Sequence, residues 1–168
     1  MKYKSIFLVS ILFCIFTINI KSQGEMSIVN GLSEKLANTE GGIWVFEGFK
    51  NGFYYTYVLY FFDTNEVSFS YNTCSQKYGL PYICNIFRRG TYYIENNILI
   101  ISFNTVRRNQ YNVPNNDNEL TIENTIIRLE MEIIEYKLIV KQISGITIFE
   151  NHNKNETIEL IAERPIID

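Results

Sequence analysis

Cys74 and Cys84 are the residues whose type and spacing most directly suggest chemistry. Nine residues separate them, and these include Gly79 and Pro81, so the intervening chain can turn back and bring the two thiols together. In an oxidising compartment an isolated pair of this kind is most simply a disulfide, worth about 2.5–3 kcal/mol for a loop of this size. A metal site or redox pair is disfavoured, because the single His of the chain leaves no usual co-ligands. We predict a Cys74–Cys84 disulfide and no bound metal.

Other residues that could support catalysis are scattered. His152 lies in the polar run Asn151–Asn155 and is interpreted as a solvated loop residue. Glu130 and Glu132 lie two apart on the polar face of a predicted strand, which is more typical of a solvated surface than of an acid–base pair. No nucleophile motif or phosphate-binding loop occurs in the sequence. The sequence predicts a protein that is not an enzyme and uses no cofactor, unless folding brings acidic residues together.

The first 22 residues have the pattern of a signal peptide. Lys2 and Lys4 precede an uncharged apolar run from Ser5 to Ile20, and Ser22 is a small residue at a plausible cleavage site. The run is shorter than the roughly 20 residues of a membrane-spanning helix. We expect a secreted or periplasmic chain of one domain, 23–168, without membrane insertion after the leader is removed.

The charge of the chain limits the classes of partner. There are 15 basic and 18 acidic residues, and removal of the three leader lysines changes the net charge from −3 to about −6. Beyond the leader the basic residues are grouped at most in pairs, at Arg88-Arg89 and Arg107-Arg108. Nucleic acids and anionic membrane surfaces are bound through concentrated positive charge, so both are disfavoured as partners. We expect a monomer.

Most of the chain has the composition and periodicity of β-strands. From Ile127 to Ile133 the apolar and charged residues alternate strictly, a period of two that a helix would not give. The predicted strands are Ile43–Glu47, Tyr54–Phe62, Glu66–Tyr71, Gly90–Ile94, Ile98–Thr105, Ile127–Ile133, Leu138–Ile143, Gly145–Asn151 and Thr157–Ala162. Eight to nine short strands without βαβ units indicate a sandwich or a closed barrel. Sequential hairpins without long crossovers favour the antiparallel up-and-down β-barrel of about eight strands, preceded by a short helical arm around Leu32–Leu36.

Turn chemistry separates most of these strands. Lys50-Asn51-Gly52, Asp63-Thr64-Asn65 and Glu95-Asn96-Asn97 are typical of hairpins, and Asn112–Asn118 predicts a longer polar loop. The junction at Glu135-Tyr136 contains neither Gly nor Asn. It leaves open whether the chain forms a tight hairpin there or a bulged continuous strand.

The order of these features resembles the lipocalin and calycin group. In that group a Gly-x-Trp motif begins the first barrel strand after a short helical arm, and this chain has Gly42-Ile43-Trp44 in that position. A basic residue near the end of the last strand packs over the Trp in that group, and Arg164 follows the last predicted strand here. The resemblance implies a small exported barrel in which Gly42, Trp44 and Arg164 are structural and the interior holds a small apolar ligand.

The aromatic content agrees with either a filled or an open interior. The chain has 12 Tyr and 12 Phe. One predicted strand alone holds more aromatic residues than its inward face can take, namely Tyr54, Tyr55, Tyr57, Tyr60, Phe61 and Phe62. By strand alternation, the candidate cavity residues are Tyr55, Tyr57, Val67, Phe69, Leu129 and Met131. We expect a small apolar ligand there. The alternative is a protein-binding module, such as an enzyme inhibitor or immunity-type protein, that uses its acidic surface or the Cys74–Cys84 loop.

Overall fold

The computed structural model describes residues 31–37, 42–75, 82–111 and 120–162. The predicted signal peptide 1–22, the Asn112–Asn118 loop and Arg164 lie outside these described residues. Within them the chain forms one short helix, α1 (31–37), where the helical arm was predicted.

Eight antiparallel strands follow in chain order and close into a barrel. Each strand pairs with the next, and β1 also pairs with β8 through Trp44 opposite Ala162 and Val45 opposite Ile161. The strands are β1 (Ile43–Lys50), β2 (Phe53–Phe61), β3 (Glu66–Ser75), β4 (Tyr82–Glu95), β5 (Ile98–Tyr111), β6 (Leu120–Ile134), β7 (Lys137–Ser144) and β8 (Thr157–Ala162). The predicted all-β, up-and-down barrel is confirmed.

Two-residue turns join several of the strands. Asn51-Gly52 and Asn96-Asn97 have positive φ at both positions, which is the backbone of the hairpin turn that Asn and Gly favour. Glu135-Tyr136 also forms a two-residue turn, because Ile134 pairs with Lys137 on either side of it. Glu135 has φ of +53°, an unusual conformation for a residue with a long side chain. The open question at this junction is therefore resolved as a tight hairpin.

The helix α1 covers one end of the barrel, which we call the closed end. Leu36 and Trp44 have no exposed surface, and the Trp44 indole Nε1 donates a hydrogen bond to the Leu36 carbonyl at 3.1 Å. Gly42 has φ of +74°, and a Cβ there would lie 2.3 Å from the carbonyl oxygen of Phe61. Any other residue would collide with that backbone, so the Gly of the Gly-x-Trp motif lets the chain turn from α1 into β1.

Residues 145–156 form a loop and not the strand predicted at Gly145–Asn151. Gly145 has φ of +93°, which turns the chain away from β7. Gln142 then binds the loop backbone, accepting from the Ile148 amide at 3.3 Å and donating to the Ile146 carbonyl. Ile148 and Phe149 are buried. The apolar run that suggested a strand is apolar because it packs into the barrel.

No disulfide joins Cys74 and Cys84, which corrects that prediction. In the β3–β4 register Cys84 lies opposite Thr73, and both of these side chains are buried. Cys74 is the next residue along β3 and is exposed. Alternation along a strand puts neighbouring side chains on opposite faces, so the two thiols lie on opposite sides of the sheet although their backbones are close.

Candidate functional site at the open end of the barrel

The end opposite α1 is called the open end. The Asn51-Gly52 turn and the 145–156 loop lie there, because β1 runs from the closed end towards this turn and β7 runs from the Glu135-Tyr136 turn towards the loop. Five inward positions cross the sheet in one row near this end: Phe46, Tyr57, Tyr71, Ile86 and Arg108.

All six residues predicted to face the interior are buried inside the barrel. Tyr57, Phe69 and Leu129 have no exposed surface at all. A side chain without accessible surface has no water-sized space beside it, so the interior around these three residues is filled by protein atoms. The inward register is as expected, and binding of a ligand by these residues stays a prediction.

Part of the filling comes from the 145–156 loop. The Phe149 ring meets the Tyr57 ring edge-on at 5.1 Å and the Phe69 ring at 6.0 Å. Asn151 holds the loop in place: its backbone amide donates to the Tyr57 hydroxyl at 2.8 Å, and its side-chain amide donates to the Tyr71 hydroxyl at 3.0 Å. Burial raises the pKa of the Tyr57 hydroxyl above its usual value, so this group remains a neutral hydrogen-bonding partner.

His152 belongs to the same contact region. Its ring lies edge-on to Phe46 at 5.2 Å, and its Nδ1 is 3.5 Å from the Tyr57 hydroxyl. Burial lowers the pKa of His152, an effect that Glu156 opposes and Lys50 reinforces. His152 lies in a loop, as the sequence indicated, but it is only partly exposed, because the loop folds it against the aromatic side chains of β1 and β2.

A pocket of about 370 Å³ remains beside this loop, and we call it the mouth pocket. Aromatic and aliphatic side chains line its walls together with a similar number of polar ones, and its volume lies in the range of small-molecule sites. The lining residues are Phe53, Tyr71, Thr73, Cys84, Ile86, Arg108, Glu150 and Asn151. Of the two cysteines and six cavity residues predicted from the sequence, only Cys84 lines this pocket.

A buried ion pair lies next to the row that lines the pocket. Arg88 is 2% exposed, and its Nε donates to both carboxylate oxygens of Glu123 at 3.1 and 3.3 Å. One terminal nitrogen of the Arg88 guanidinium has no hydrogen-bond partner. Sequence reasoning missed this pair. The predicted strand began at Gly90, and nothing local in the sequence shows which of the adjacent Arg88 and Arg89 faces inward.

The carboxylates considered in the sequence do not form an acid–base pair. Glu130 and Glu132 are exposed on the outer face of β6, and Glu130 lies opposite Lys141 of β7. In the described ranges no group of three or more His, Cys, Asp or Glu side chains could hold a metal ion. The part of the chain that the structure describes also has no helix long and apolar enough to cross a membrane.

Comparison with known protein families, characterised proteins and solved structures finds no match to this chain.

Proposed function

We propose that the protein binds a small, largely apolar molecule in the mouth pocket. The observation that carries this proposal is the pocket itself, about 370 Å³ at the one barrel end that α1 does not cover. Phe53, Tyr71 and Ile86 offer apolar surface to the body of a ligand. Arg108 offers hydrogen-bond donors to a polar end, and the Thr73 hydroxyl, which donates to the Tyr54 carbonyl at 3.2 Å, offers an acceptor.

The closed-barrel architecture and the Gly-x-Trp turn agree with a lipocalin-like protein, and we include that relationship in the proposal. The site differs from the one expected from the sequence. The deeper interior is occupied by Phe149 and its aromatic neighbours, so the ligand would lie nearer to the solvent. On this proposal the protein is an exported binding protein and not an enzyme.

Titration with the fluorescent apolar probe N-phenyl-1-naphthylamine tests the proposal. We expect saturable binding to the folded chain and displacement by fatty acids or retinoid-like molecules. Ile86→Trp fills the pocket and is expected to weaken binding about tenfold or more, while circular dichroism shows an intact barrel. Val58→Trp is the matched control, because Val58 lies on the outer face of β2, between Val45 and Ser70.

The proposal fails if no probe binds saturably. It also fails if Ile86→Trp and Val58→Trp bind the probe as the wild type does, since the binding would then be elsewhere on the molecule. Protein binding is the second candidate function, and a separate feature of the outer surface favours it.

A further inference from the structure

The two arginine pairs of the sequence lie side by side on β4 and β5. Phe87 pairs with Arg107, and Ile86 pairs with Arg108, so the two strands place Arg88 and Arg108 at inward positions and Arg89 and Arg107 on the outer face. Arg89 and Arg107 are diagonal neighbours on that face, where such positions lie ~7–8 Å apart. The two sequence pairs are therefore regrouped in space. Arg88 and Arg108 form an inner pair, and Arg89 and Arg107 form an outer pair.

The outer pair lines a groove of about 580 Å³, which we call the outer groove. Phe62, Phe87, Thr105 and Leu120 also line it. The Arg89 guanidinium lies over the Phe87 ring, 5.4 Å from its centre, so this cation is supported by an aromatic face. The two ion pairs found among the described residues involve neither Arg89 nor Arg107, and both arginines are exposed.

Exposed apolar side chains continue the groove onto β6. Arg107 lies opposite Leu120, and Thr105 lies opposite Ile122. Leu120 is 51% exposed and Ile122 is 86% exposed. Across the sheet, Arg107 is therefore followed by Leu120. Arg89 is followed by Thr105 and then by Ile122. Exposed apolar surface rimmed by polar or charged side chains is typical of an interaction site.

We propose that the outer groove docks a protein segment that presents carboxylates next to apolar side chains. Charge complementarity favours this occupant, because the groove carries two cations on a chain whose net charge is −3. In an extended segment, alternate residues lie ~7 Å apart on one face, which matches the separation of neighbouring groove positions. Carboxylates at such positions would meet Arg89 and Arg107 while an apolar neighbour covers Leu120 and Ile122.

A protein segment fits the groove better than an anionic membrane does. The groove is concave and includes the carboxylate of Glu66, and the chain as a whole is negatively charged. A flat anionic bilayer would be repelled by these charges and would not enter the depression. A narrow segment can enter the depression and meet Arg89 and Arg107 there, whereas a bilayer would face the negatively charged surface as a whole. This inference does not depend on the mouth pocket.

The test begins with selection of a random nonapeptide phage library on the immobilised full chain. The selected peptides are expected to share acidic residues that alternate with Leu, Ile, Val or Phe. A synthetic peptide of the consensus should perturb the amide NMR resonances of Phe87, Arg89 and Arg107. Arg107→Glu should weaken its binding about tenfold or more. Lys141→Glu makes the same charge change on the outer face of β7 and should leave the affinity unchanged.

Ile122→Ser tests the apolar half of the site. It is also expected to weaken binding of the consensus peptide about tenfold. Because Ile122 is exposed, this variant should fold normally. A basic or absent consensus overturns the proposal, and so does equal weakening by Arg107→Glu and Lys141→Glu. If phosphatidylserine-containing vesicles bind in an Arg107-dependent manner while no peptide does, the groove is a membrane surface and the proposal is wrong.

Discussion

At the scale of single residues, the position of a side chain in a strand decides its role more than its chemical type does. Arg88 and Arg89 are adjacent and identical, yet one is 2% exposed and bound to Glu123 while the other lies on the outer surface over Phe87. The same alternation separates Cys74 from Cys84 across the sheet. Pairs of like residues in the sequence therefore do not predict pairs in space unless the strand register is known.

His152 allows a residue-scale prediction about pH. Its pKa in the folded protein lies below the ordinary value of 6.5, chiefly because of burial against Phe46, Tyr55 and Tyr57. The unfolded chain then binds more protons at His152 than the folded chain does. Its contribution to stability is complete above pH 6.5 and is lost as the pH falls through the folded-state pKa.

We expect the free energy of unfolding of the wild type to fall more between neutral and mildly acidic pH than that of His152→Gln. Urea denaturation at several pH values measures the difference and cancels the contribution of the carboxylates common to both proteins. Since His152 is partly exposed, the effect is a fraction of what a fully buried His would give. Parallel pH profiles for the two proteins would show that protonation of His152 does not oppose folding.

At the scale of elements, the 145–156 loop is the part of the fold that differs most from expectation. Ile146-Thr147-Ile148-Phe149 has the β-branched and aromatic composition of a strand, and composition alone does not distinguish a strand from a loop that enters a core. The left-handed backbone of Gly145 and the hydrogen bonds of Gln142 decide the outcome. The loop lies over the open end because Phe149 finds Tyr57 and Phe69 there.

Phe149→Ala is expected to destabilise the protein by about 3–5 kcal/mol, because it removes a buried ring that its neighbours cannot fully replace. An apolar void should remain beside Tyr57 and Phe69, and such a void can accept a small apolar molecule. Benzene should therefore raise the melting temperature of Phe149→Ala more than that of the wild type. Phe149→Leu retains most of the volume and should show a smaller loss and a weaker benzene effect.

A uniform melting-temperature response of the three proteins to benzene would contradict this view of the loop. Equal stabilities of Phe149→Ala and the wild type would show that the ring is not packed in the interior.

Much of the element order was predictable because its signals are local. The strict alternation of Ile127–Ile133 and the Asn-Gly and Asn-Asn turns each depend on residues that are neighbours in the sequence. The length of β4 was underestimated, since polar residues such as Asn85, Arg88 and Arg89 interrupt the apolar pattern before Gly90. Glu123 of β6 compensates the charge of Arg88 at its inward position, and a partner so distant in the sequence gives no local signal.

At the scale of the whole molecule, strand pairing assembles both candidate sites from residues far apart in the sequence. The mouth pocket joins Tyr71, Ile86 and Arg108 of three strands to Glu150 of the loop. The outer groove joins β4 and β5 to Leu120 of β6. The sequence predicted the inward side of the strands and a barrel, but the sites depend on which residues stand opposite each other. That register is fixed by all the turns and bulges together.

The filled interior gives the last prediction, which concerns Leu129. With a ligand cavity beside it, Leu129→Trp would fill empty space and weaken ligand uptake at little cost in stability. The structure shows Leu129 without exposed surface, paired with the buried Leu99 and Gln142 on the neighbouring strands. We therefore expect Leu129→Trp to cost about 1–3 kcal/mol by overpacking and to leave probe binding in the mouth pocket unchanged. Leu129→Met conserves the volume and should cost less than about 1.5 kcal/mol. Chemical denaturation and N-phenyl-1-naphthylamine titration of the wild type, Leu129→Trp and Leu129→Met distinguish a filled interior from a ligand cavity beside Leu129. Wild-type stability combined with lost probe binding in Leu129→Trp would place the ligand deep in the barrel and not at its mouth.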